Sequence, residues 1–168
     1  MSFLRSAEDS LTGTFSLIPQ VADNVKIPII AAGGIADARG IKAAFALGAD
    51  AVQIGTAFLA TEQSNASQEH KDKLFTPEAK YTTLTKVFTG RLARGIRNRL
   101  TDEMKTFENL FAPYPLQSNF MGILKSYSAT ANATPSIKSD WAGQSASLLK
   151  HRDAKILIET LINEMNKM

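Results

Sequence analysis

Apolar residues change their spacing several times along this chain, and each change predicts a different element. Over residues 14–25 the apolar positions are Phe15, Leu17, Ile18, Val21 and Val25. That spacing predicts an amphipathic helix with Pro19 near its first turns. Ile27-Pro28-Ile29-Ile30-Ala31-Ala32 then runs apolar without alternation. Such a run predicts a strand buried on both faces, as in a parallel sheet, with Pro28 at its start, where a missing N–H is tolerated. Gly33-Gly34 ends the strand, and Asp37 is placed to cap a helix bearing Ile41, Ala44 and Phe45 that Gly48 terminates. A second buried strand, Ala51-Val52-Gln53-Ile54, comes next, ends at Gly55-Thr56, and leads into another helix from Ala57. Helix, strand, helix, strand, helix is the rhythm of the α/β class with parallel strands and right-handed crossovers.

Beyond residue 60 the rhythm changes. Ser64 to Phe75 is polar and predicts a helix in its second half. Tyr81 to Phe88 is rich in β-branched and aromatic residues and predicts a strand or extended segment. Arg91 to Lys105 carries Leu92, Ile96, Leu100 and Met104 four apart, which predicts a helix. Residues 111–140 hold Pro113, Pro115 and Pro135 and predict a loop around one short helix near Met121–Tyr127. A helix pair, about 143–150 and 153–167, closes the chain.

Composition narrows the class. Hydrophobic residues are 44% and charged residues 21% of the 168, the balance of a soluble globular protein. With no cysteine, disulfides, thiolate catalysis and Cys-based metal sites are excluded, and no metal site is expected. No apolar run approaches the roughly 20 residues of a membrane helix. The first ten residues are too polar for a signal peptide, so no membrane partner and a cytoplasmic address are expected. The net charge of +3 is unevenly placed: residues 1–70 are net acidic and residues 71–106 net basic. A basic stretch can bind nucleic acid or a phosphate-bearing ligand, or be the solvated face of a helix. Poor aromatic interleaving and the lack of a helix-turn-helix or RNP pattern favour the solvated face, so no nucleic-acid partner is expected.

The candidate chemistry lies in the two glycine turns, Ala31-Ala32-Gly33-Gly34-Ile35 and Gln53-Ile54-Gly55-Thr56-Ala57. A phosphate must approach backbone N–H groups closely, and a Cβ would obstruct it. A helix N-terminus adds partial positive charge. The alternative is that these glycines only permit tight turns; two such turns at successive strand ends favour phosphate binding. Neither turn is a P-loop, and the dinucleotide fingerprint is missing. Gln53, expected to be buried, needs a partner, either a ligand or neighbouring backbone, and Thr56 is either an extra phosphate donor or a helix cap.

These residues carry a resemblance. Pro28 to Asp37 and Gly48 to Phe58 resemble the FMN-phosphate end of the nitronate monooxygenase (2-nitropropane dioxygenase) family. Phe88-Thr89-Gly90-Arg91-Leu92-Ala93-Arg94-Gly95-Ile96-Arg97-Asn98 resembles that family's next segment, and Trp141-Ala142-Gly143-Gln144 a short motif near its carboxyl terminus. The resemblance implies the carboxyl-terminal part of a (β/α)8 TIM barrel followed by a mainly helical tail. Residues 1–62 would form the last βα units and 63–168 a mostly helical region packing on the barrel. It implies FMN as cofactor, an alkyl nitronate and oxygen as reactants, and Gly33, Gly34, Gln53, Ile54, Gly55 and Thr56 as cofactor-binding residues.

The family's catalytic histidine lies in a glycine-rich segment just before where this chain begins, and Ser2-Phe3-Leu4-Arg5 resembles the stretch directly after that histidine. Met1 is therefore expected to lie inside a longer gene product, and the chain alone is expected to be inactive, with no catalytic residue of its own. His70 and His151 are expected at the surface. Two alternatives stand beside this one: a flavin-dependent enoyl-acyl-carrier-protein reductase, whose family shares a similar Val-Gln-x-Gly-Thr segment, and a non-catalytic truncated remnant. Whether Arg91, Arg94 and Arg97 touch a ligand or only salt-bridge on a shared helix face is open at this level.

Overall fold

The computed structural model describes residues 11–130 and 137–167. The segment Ser2–Arg5 and Pro135 lie outside those residues. The chain forms two compact units, one from residues 11–80 and 142–167 and the other from 81–141.

In the first unit, helix α1 (Thr14–Ala22) leads to strand β1 (Ile30–Ala32), helix α2 (Ala38–Ala46), strand β2 (Ala51–Gln53), and the short helices α3 (Thr56–Leu59) and α4 (Gln68–Lys73). Strands β1 and β2 pair in parallel, Ile30 with Ala51, Ala31 with Val52 and Ala32 with Gln53. The expected adjacent parallel strands are therefore present. Their register is held at the strand entrance. The Ile29 N–H donates to the Asp50 carboxylate at 2.7 Å, while the Asp50 and Ala51 N–H groups both donate to the Ile29 carbonyl.

Helix α2 starts as expected at Asp37, whose carboxylate accepts from the Gly40 N–H. The Arg39 guanidinium beside Asp37 holds its carboxyl below the usual carboxylate range. At the other end Gly48 takes φ +103°, and a Cβ there would sit 2.8 Å from the Ala22 methyl. Only glycine serves both needs. Ile41 and Ala44 of α2 join Ile18, Ala31, Ile35, Ala49 and Ala57 in the core, with Leu157 and Leu161 from the terminal helix α7 (Ala154–Lys167). Fully burying an aliphatic side chain is worth about 1.5–3 kcal/mol.

Several expectations need correction. Strand β1 is buried on one face only: Ala31 is 4% exposed but Ile30 is 64% exposed. Helix α1 packs beside β1 and helix α2 beside β2, while Ile30, Ala32 and Gln53, on the face opposite Ala31, are exposed. In α1 only Ile18 is buried, whereas Phe15 is exposed. The expected helix at 143–150 is one 3₁₀ turn, Ala146–Leu148. His70, expected at the surface, is buried, because Ser67 caps α4 and turns His70, Lys71 and Leu74 inward. His151 is half-buried.

The second unit is built on an antiparallel pair, β3 (Thr82–Thr85) and β4 (Ala93–Ile96), with Leu84 opposite Arg94 and Thr82 opposite Ile96. The strand expected in Tyr81–Phe88 is β3, but the helix expected over Arg91–Lys105 is mostly absent. β4 occupies its first half, and only α5 (Arg99–Glu103), with an Asn98–Thr101 capping box, remains helical before the 3₁₀ segment Lys105–Leu110. The physical reason is Gly95, which lies so close to the Asp140 carbonyl and the Trp141 ring that a Cβ would stand 2.9 Å from that oxygen. Strand pairing and the Gly95–Trp141 bridge outweigh a four-residue apolar spacing. The short helix expected near Met121–Tyr127 is longer, α6 (Leu116–Thr130).

The entrance clamp gives a test. Asp50→Ala should lower stability by about 1–2 kcal/mol in urea unfolding, since it removes a charge-assisted hydrogen bond at an exposed site, and Asp50→Asn should cost less.

Candidate functional site

Parallel pairing in register brings the carboxyl ends of β1 and β2 side by side, so that Gly33-Gly34 and Gly55-Thr56 leave the sheet at the same edge. A cleft of about 250 Å³ opens there, lined by Ala32, Gly33, Gly34, Ile35, Gln53, Gly55, Thr56, Gly143 and Ser145. Five of the six residues that the sequence pointed to thus meet at one place. Ile54 does not; it packs against the hydrophobic core.

Gly34 has φ +75°, a conformation that L side chains rarely adopt, and the space where its Cβ would stand is open. The corresponding space at Gly55 is also open. The N–H groups of Gly34, Gly55 and Thr56 have no acceptor among the described residues. Among the described residues no charged side chain lines the cleft. Unpaired N–H groups, open space in place of two Cβ atoms and no carboxylate to repel an anion together fit a phosphate group.

Two expectations about individual side chains change. Gln53 is exposed rather than buried, because β2 turns that position toward the uncovered face, and its amide has no protein partner among the described residues. Thr56 is not a helix cap: Gly55 holds the N-cap position of α3 without any side-chain bond. Instead the Thr56 Oγ1 accepts the Gly143 N–H at 2.9 Å across 87 residues of sequence. That bond leaves the hydroxyl proton for another acceptor.

Gly143 and the buried Ser145 also line the cleft, although sequence reasoning missed them as site residues. The only signal for them in the sequence was the Trp141–Gln144 motif, whose role no local pattern reveals. A Cβ on Gly143 would lie 3.2 Å from Thr56 Oγ1, so glycine permits this close approach. Neither His70 nor His151 lines the cleft.

Residues 4–164 match the nitronate monooxygenase family. The chain belongs to that family. It is 40% identical over 168 residues to a probable nitronate monooxygenase of Staphylococcus aureus strain Newman, covering 99% of this chain and 47% of that protein. The chain thus spans about half the length of the curated relatives it matches. Its fold is similar to that of nitroalkane oxidase from Streptomyces ansochromogenes, with TM-score 0.86 and 38% identity, over 99% of this chain and 48% of that one. It is also similar to FabK from Thermotoga maritima, with TM-score 0.75 and 35% identity, over 93% of this chain and 50% of that one. Within this nitronate monooxygenase family chain, the α/β arrangement and the resemblance found in the glycine turns agree with those matches.

The Thr56–Gly143 bond makes a prediction about the cleft wall. Thr56→Ala should cost about 1–3 kcal/mol of stability in urea unfolding, because it strands the Gly143 N–H, while Thr56→Ser should stay within about 0.5 kcal/mol of the parent. Equal losses in both variants would show that the methyl group, not the hydroxyl, holds the segment.

Proposed function

We propose that this chain supplies the FMN-phosphate anchor of a nitronate monooxygenase, within the carboxyl-terminal part of a (β/α)8 barrel. The observation that carries this reading is the convergence of two glycine turns, from adjacent parallel strands, on one uncharged cleft with unpaired N–H groups. In such barrels a phosphate commonly sits at the loops after the last two strands. The exposed apolar face of β1 supports the barrel, since Ile30 stands where a closed barrel would surround it.

FMN would supply the redox chemistry by which an alkyl nitronate and oxygen give a carbonyl compound and nitrite. The residues of this chain bind and orient. The Gly34, Gly55 and Thr56 N–H groups would hold the 5′-phosphate, and the Thr56 hydroxyl, already accepting from the Gly143 N–H, would donate a hydrogen bond to the same anion. The Gln53 amide, exposed and lining the cleft, would orient the ribityl chain or the ring edge. Among the described residues that line the cleft none carries a side chain that titrates near neutral pH, and the 168-residue chain alone is expected to be inactive toward nitronates. The likeness to FabK favours a second reading, a flavin-dependent enoyl-acyl-carrier-protein reductase, with lower similarity behind it. Nitronate-dependent oxygen uptake against NADH-dependent enoyl reduction, measured in the polypeptide carrying this chain, separates the two.

The phosphate anchor is tested by flavin titration. Gly34→Val and Gly55→Val should each weaken FMN binding more than tenfold, about 1.4 kcal/mol, by filling the space the phosphate needs. Unchanged FMN affinity in both variants, with the fold intact by circular dichroism, would leave the glycines as turn formers only.

A further inference from the structure

Three arginines of the second unit, Arg94, Arg97 and Arg99, differ in their partners. Arg97 pairs with Asp102 at 3.0 Å and Arg99 with Glu103 at 2.6 Å, both at exposed positions. Arg94 is half-buried, and its hydrogen bond goes to the neutral Thr82 hydroxyl at 3.2 Å. No carboxylate among the described residues lies within ion-pair distance of it. Desolvation holds its guanidinium below the ordinary arginine range, with no acidic neighbour to offset the burial.

A half-buried cation of this kind is short of partners. A guanidinium presents five N–H donors in a planar fork, and the Thr82 hydroxyl takes one. Strand β4 fixes where the fork lies, because Arg94 faces Leu84 across the pair and Thr82 lies diagonally. A cavity of about 340 Å³ opens beside it, lined among the described residues by Thr89, Ala93, Arg94 and Trp141. The Thr89 hydroxyl is already engaged with the Arg91 backbone, donating at 3.0 Å and accepting at 3.2 Å. Trp141 is held in place edge-on against Phe88, ring centroids 5.4 Å apart, and by its bridge to Gly95. The cavity thus offers one unsatisfied cationic fork and two apolar walls, the Ala93 methyl and the indole.

We propose that this cavity binds a short-chain aliphatic carboxylate, its two oxygens on the Arg94 guanidinium and its alkyl chain against Ala93 and Trp141. A carboxylate matches the fork with two parallel charge-assisted hydrogen bonds. The alkyl chain gains what a bare inorganic anion would not, the removal of apolar surface from water. This site is independent of the flavin reading, since none of its residues lines the glycine cleft.

The chain has a single tryptophan, Trp141, so its fluorescence reports directly on this cavity. The experiment titrates the 168-residue chain with hexanoate at constant ionic strength, with chloride and hexan-1-ol as controls. A saturable fluorescence change is expected with hexanoate, none with chloride, and at least tenfold weaker binding of hexan-1-ol. Arg94→Gln should weaken hexanoate at least tenfold, with circular dichroism reporting whether the fold is kept. If that variant does not fold, Arg94→Lys carries the comparison, because it keeps the charge but loses the fork and should still bind more weakly than the parent. No saturable response in the parent would overturn the proposal, as would equal binding of hexan-1-ol or unchanged affinity in the folded Arg94 variant.

Discussion

The clamp between Ile29 and Asp50 is the contact on which the first unit depends. Its three hydrogen bonds join the entrances of β1 and β2, and with a side-chain period of two a one-residue slip would reverse every facing. With Ile30 opposite Ala51, the strands end level, and both glycine turns emerge at one edge. Moved by one residue, Gly34 and Gly55 would no longer flank the same cleft. The site is thus set by the pairing of two three-residue strands rather than by either turn alone.

Packing supports this register from one side. The core beneath β1 and β2 includes several small side chains: Ala31, Ala44, Ala49 and Ala57 lie among larger residues such as Ile41 and Leu157. Alanines let α2 approach the strands closely, and adding methylenes at such positions would force neighbours off their rotamers at about 1–3 kcal/mol. The third wall of the cleft comes from far along the chain, where Gly143 docks on Thr56. That single bond couples the loop before α7 to the turn after β2, so the cleft is complete only when the carboxyl-terminal segment has folded back.

Local signals made much of this legible. Asp37 as a cap, Gly48 as a terminator and the two apolar runs as neighbouring parallel strands are each decided by interactions within a few residues or one βα unit. What misled was non-local. Leu92, Ile96, Leu100 and Met104 repeat every four residues, yet their segment pairs with Thr82–Thr85 and receives Trp141, contacts that no spacing within it announces. The continuous apolar run at Ile27–Ala32 implied burial on both faces, whereas Ala31 is buried and Ile30 and Ala32 on the other face are exposed. Gly143 and Ser145 were invisible as site residues because their meaning depends on Thr56, 87 residues before Gly143.

The central claim, that the two glycine turns together grip a phosphate, is tested most directly by the backbone amide resonances of Gly34 and Gly55 in a ¹⁵N-labelled protein titrated with FMN and, separately, with riboflavin. The two flavins differ only in the phosphate. The account predicts that both amides shift with FMN and stay in place with riboflavin, and that FMN binds at least tenfold tighter, about 1.4 kcal/mol. Equal affinities, or FMN binding that leaves both glycine amides unmoved, would contradict it.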